Sequence, residues 1–133
     1  MFIAGLSTEK QKAFLNLAYT MVLADGRIDD YEQKMFDSYA LEVNVDLKEA
    51  HKVNFEKELS IFDDSSISEK KKVFFELYAI ALVDKEYPVE ESKLVDIMKA
   101  RFNISDNLMK EMKDGLYAMS SAYEHLQKIL SDD

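Results

Sequence analysis

A chain of 133 residues, 47% of them hydrophobic, is long enough to bury roughly two thirds of its unfolded surface in one core. Seventeen basic against twenty-six acidic residues leave a formal charge of −9 and a pI near 4.7. That field repels phosphate backbones and anionic headgroups, which argues against nucleic-acid binding. With no cysteine there is no disulfide frame, thiolate metal site or thiol nucleophile. The opening "MFIAGLSTEK" lacks the basic segment and the apolar length of a signal peptide. The longest apolar run, residues 73–83, is interrupted by Glu76 and is too short to span a bilayer. These features predict a cytoplasmic protein without direct membrane insertion.

Three glycines and one proline leave little punctuation, and apolar residues recur at steps of three and four. The expected fold is therefore all-α. In chain order, capping-box spacings at Thr8 with Gln11, Asp29 with Glu32, Asp46 with Glu49 and Ser66 with Glu69 mark helix starts. Helices are predicted near residues 8–24, 30–42, 47–62, 67–84, 89–102 and 106–130, the last with a candidate break at Gly115. The first and fourth, "AFLNLAYTMVLA" and "VFFELYAIALV", are apolar on nearly every side and should be the central helices.

Residues 7–46 laid over 66–105, 59 positions later, pair Tyr19 with Tyr78, Leu23 with Leu82, Asp25 with Asp84, Glu32 with Glu91 and Asn44 with Asn103. The chain reads as one domain, 1–133, a bundle of about six to seven helices built from two repeats, about 7–62 and 66–130, related by a pseudo-twofold.

The stretch "LADGRIDDYE" matches the second half of a calcium EF-hand loop, but Met21 and Leu23 stand where its first oxygen ligands would be. The acids instead end or begin core-facing stripes. Asp25 ends Phe14, Ala18, Met21, and Asp84 ends Val73, Leu77, Ile80; Glu32 leads Phe36, Tyr39, Val43, and Glu91 leads Val95, Met98, Phe102. An aspartate in the last turn of a helix opposes the macrodipole. If the four carboxylates converge to about 5 Å, each pair repels by roughly 3 kcal/mol at an effective dielectric of about 20. Two readings stand. In one, Asp25, Glu32, Asp84 and Glu91 hold a hard divalent cation, Ca²⁺ or Mg²⁺, because only oxygens are nearby. In the other they cap helices locally and the turn is only a corner.

An apolar helix ending "LADGRIDDYE", echoed by "LVDKEYPVEE", in a small acidic helical chain resembles the TerB family of tellurite-resistance proteins. The likeness covers nearly the whole chain, and the A-D-G-x-I-D-x-x-E corner is its most specific part. It implies a non-enzymatic single-domain bundle with internal pseudo-symmetry, associated with tellurite resistance, stress response and phage defence. It also implies an acidic site suited to Ca²⁺ and partnership with other Ter-type proteins near the inner membrane. The carry-over falls on Asp25 and Glu32, with Asp29 as a flanking acid, and through the repeat on Asp84 and Glu91. The second corner departs from the motif at Lys85, Tyr87 and Pro88. A lysine in the left-handed conformation expected of Gly26 costs about 1 kcal/mol, so the second corner is expected to differ in shape.

The remaining features are read as structural. His51 is expected at the edge of the core on the stripe Leu47, His51, Phe55, Phe62, and His125 in solvent. Neither has the Glu-x-x-His spacing of a di-iron bundle or the context of a catalytic triad. A metal-dependent hydrolase using the four corner acids is the third functional class, and it lacks a general base beyond them. Glu76 is expected on a solvated edge of its helix, with Tyr19 and Tyr78 in the core. Met109, Met112, Leu116, Met119, Tyr123, Leu126 and Leu130 alternate steps of three and four. This C-terminal seam is expected to pack within the domain; a partner helix or a homodimer is the alternative.

Overall fold

The structure, a computed structural model, describes residues 1–24, 30–39, 41–43, 45–83 and 89–131, without the side chains of Tyr31, Glu32 and Val83. All regular structure among these residues is helical: α1 Thr8–Val22, α2 Asp30–Tyr39, α3 Phe55–Leu59, α4 Ile67–Val83, α5 Val89–Arg101 and α6 Asp106–Ser131, with 3₁₀ turns at Leu47–Glu49 and Ser60–Phe62. The chain forms two compact units, Met1–Asn103 and Ile104–Asp133. The starts of α1 and α4, of α2 and α5, and of the Leu47 turn and α6 are each 59 residues apart.

In the first unit α1 and α4 lie against each other and contact the shorter helices around them. Their apolar stripes are buried as expected: Phe14, Ala18 and Met21 on α1, and Val73, Leu77 and Ile80 on α4, are all fully shielded from solvent. The stripes of the second helices are buried too, with Phe36 and Tyr39 on α2, and Val95 and Met98 on α5. Near the start of the two central helices, Lys10 bridges Glu69 at 3.2 Å. These two residues occupy matching positions of the 59-residue offset.

The helix ends follow local hydrogen bonding. Ser7, not Thr8, caps α1 by accepting from the Lys10 N–H at 3.2 Å, so the expected cap was one residue late. Its near neighbour Gln11 is buried and donates to the Ala4 carbonyl at 3.2 Å. Ser66 caps α4 through the Glu69 N–H at 3.1 Å, as expected. Asn103 ends α5 with φ 55°, a left-handed position that asparagine tolerates better than most residues. Arg101 on the last turn of α5 forks onto Asp63 at 2.9 and 2.6 Å. This hydrogen bond first, and the guanidinium charge with it, hold the Asp63 carboxyl below the usual range. Both groups are exposed, so the pair contributes little to stability.

One expected helix is broken. Residues 47–62 form a 3₁₀ turn, an extended stretch at 50–54, then the short α3. Side chains of α1 explain the break: Asn16 Oδ1 accepts from the His51 N–H at 3.1 Å, and Thr20 Oγ1 accepts from the Val53 N–H at 3.0 Å. Backbone donors that a helix would satisfy within itself are taken by the neighbouring helix instead. Asn54 then restarts the helix by capping the Lys57 N–H at 3.0 Å. As a result His51 is exposed rather than at the edge of the core, while Phe55 and Phe62 of the same stripe are buried.

The second unit is the single helix α6, capped by Ser105 Oγ accepting from the Leu108 N–H at 3.0 Å. It runs without a break through Gly115.

Candidate functional site

Of the four corner acids, Asp25 and Asp84 lie outside the described residues, as do Gly26, Ile28, Asp29, Lys85, Tyr87 and Pro88. Glu32 falls in the first turn of α2, its side chain likewise outside the description. Glu91 is described. It sits in the first turn of α5 and is 0% exposed. It leads the buried stripe Val95, Met98, Phe102 as the spacing predicts. A carboxylate in the first turn faces the positive end of the helix dipole, which offsets part of the cost of its burial. Ca²⁺ takes six to eight oxygens, so Glu91 by itself makes no cation shell. Among the described residues no group of three or more His, Asp or Glu is arranged to hold a metal ion.

A different carboxylate organises the interior, and sequence reasoning misplaced it. Glu76, expected on a solvated edge, is 4% exposed. Its Oε2 accepts from the Tyr39 hydroxyl at 2.8 Å and its Oε1 from the Phe2 N–H at 3.2 Å, with the Met1 amino group 3.1 Å away. That amino group also donates to Glu42 at 2.6 Å, and Glu42 accepts from the Ile3 N–H at 3.1 Å. Two carboxylates from α4 and from the turn after α2 thus tie down the segment before α1. Tyr39 is wedged edge-on against Phe14, ring centroids 4.9 Å apart. Burial, and then the Glu76 charge, push its hydroxyl well above the ordinary tyrosine range. The signal was legible: 59 positions before Glu76 stands Leu17, and Leu17 is fully buried.

Among the described residues neither histidine is set in a catalytic arrangement. His51 borders a cleft of about 300 Å³ lined with Lys12, Leu15, Asn16 and Glu49. Its Nδ1 lies 3.1 Å from the Glu49 carbonyl oxygen. Asn16, which also lines it, is already committed to the His51 N–H and to Glu58 at 2.9 Å. His125 is exposed, as expected.

The seam on α6 changes in exposure along its length. Met109, Met112 and Leu116 are half-buried, but beyond them the face is open: Met119 is 41% exposed, Tyr123 64%, Leu126 54% and Leu130 81%. No residue of α6 is buried. Soluble proteins rarely leave a contiguous apolar strip of this kind uncovered unless something binds it.

No family model, curated protein or solved structure matches the chain. No described helix is long and apolar enough to cross a membrane.

Proposed function

We propose that this chain is a TerB-like, non-enzymatic module of the cytoplasm that works through contacts with other proteins in a stress-response or phage-defence assembly. The open apolar face of α6, from Met119 to Leu130, carries this reading. The unit Met1–Asn103 has its own buried core, and α6 supplies the exposed apolar residues. Leu126→Glu, measured in dilute solution, should therefore change unfolding stability by no more than about 0.5 kcal/mol, as surface substitutions do. A loss of about 2 kcal/mol or more would mean that the face is covered within the chain, and the reading would fail.

The full burial of Glu91 supports a second feature of the same module: the corners Asp25–Glu32 and Asp84–Glu91 take up a divalent cation, Ca²⁺ or Mg²⁺, that stabilises the folded chain. A cation bound only by the folded state at about a hundred times its Kd adds about 2.7 kcal/mol. Thermal unfolding should show that gain in the parent protein and lose it in Asp25→Asn combined with Asp84→Asn. If Ca²⁺, Mg²⁺ and Mn²⁺ all leave the transition unmoved, the corner acids are helix caps alone.

A further inference from the structure

We propose that the occupant of the α6 face is α6 of a second copy of this chain, paired antiparallel about Ala122; this rests on the reading of that face as a working surface. The first reason is self-complementarity. Antiparallel pairing with the three-four spacing sets Leu116 opposite Leu126 of the other copy and Met119 opposite Tyr123, a sulfur–aromatic contact made twice by symmetry. On one flank of the seam the same register places Gly115 opposite Ile129 and Ala122 opposite itself, so the smallest residue meets the largest and the axis is lined by a methyl group. Gly115 has open space where a side chain would be, and Ile129 is 56% exposed. On the other flank Lys113 meets Gln127 and Ser120 meets itself, so no like charges are opposed.

The second reason is charge. The whole chain carries −9, yet residues 116–131 contain one acid, Glu124, and one base, Lys128. Two copies of an acidic protein repel over most of their surface, and this strip is where they approach without net local charge. A basic partner would find no counter-charge here. The antiparallel arrangement also opposes the two helix dipoles. A parallel pair would instead set Tyr123 against Tyr123 and Met119 against Met119 and lose both sulfur–aromatic contacts.

Sedimentation equilibrium should give about twice the 15.4 kDa chain mass, and Tyr123→Glu should return it to one. The chain has no cysteine, so Ala122→Cys supplies a single thiol at the proposed axis. A short bis-maleimide should join two copies through it. The control Lys110→Cys should not react across copies, because antiparallel pairing puts those positions about 36 Å apart along the axis at 1.5 Å per residue. Cross-linking at Lys110→Cys as efficient as at Ala122→Cys would overturn the antiparallel register. A monomer at every concentration overturns the dimer. Hydrogen exchange then separates the causes: rapid exchange along residues 119–130 of that monomer leaves the face open for another protein, whereas strong protection there overturns the reading of α6 as a working surface as well.

Discussion

Glu76→Ala should lower the unfolding free energy by about 3 kcal/mol, the range for removing one member of a buried, charge-assisted network. The carboxylate is 4% exposed and receives donors from three places: the Tyr39 hydroxyl, the Phe2 N–H and the Met1 amino group. Alanine leaves the Tyr39 hydroxyl, itself on a buried ring, without its acceptor and opens a void beside it. Glu76→Gln keeps the volume and an acceptor and should cost less than half as much. Tyr39→Phe removes one donor and should cost about 1–2 kcal/mol. The double variant should cost less than the two single losses combined, since each single change strands the other group. Urea unfolding of the four proteins measures this, and strict additivity would show that the pair does not act as a unit.

The same pair fixes a dependence on pH. The folded-state pKa of Tyr39 is raised, so the pair's contribution is present in full below the unfolded tyrosine value, about 10. It is lost as pH rises from there through the folded value. Parent protein and Tyr39→Phe should therefore converge in stability on the alkaline side.

Phe14→Ala should be at least as damaging, about 3–5 kcal/mol. Its ring is fully buried on α1, the helix that packs against α4, and it meets Tyr39 edge-on at 4.9 Å. Truncation removes the transfer free energy of the ring and leaves a cavity among helices that cannot easily close it. For a domain with about 5–15 kcal/mol in total, this is a large fraction. Because the ring also props Tyr39 against Glu76, Phe14→Ala and Glu76→Ala should not add independently. A loss under about 1 kcal/mol in thermal or urea unfolding would mean that the site repacks and that Phe14 is not central to the core.

The helical class and most element starts were legible because they rest on local signals: a three-four apolar period, and a serine one residue before a helix. Every apolar stripe assigned to α1, α2, α4 and α5 is buried in the structure. The expected helix over residues 47–62 failed for a non-local reason. Its backbone donors at His51 and Val53 are taken by Asn16 and Thr20, more than thirty positions earlier, and no window around residue 50 contains that information. Of the candidate metal site, Glu91 has its expected burial, and Asp25, Asp84 and the Glu32 side chain lie outside the described residues.

By itself the sequence determined an acidic, cysteine-free, all-helical chain with two apolar helices at its centre, because composition sets charge and periodicity sets which face of a helix leaves water. Tertiary structure decided where the exceptions to that pattern went. A lone glutamate in an apolar helix is solvated or buried according to what stands opposite, and opposite Glu76 stand Tyr39 and the chain's first residues. The α6 seam carries the apolar period of a core-facing stripe, and its residues Met119, Tyr123, Leu126 and Leu130 are exposed.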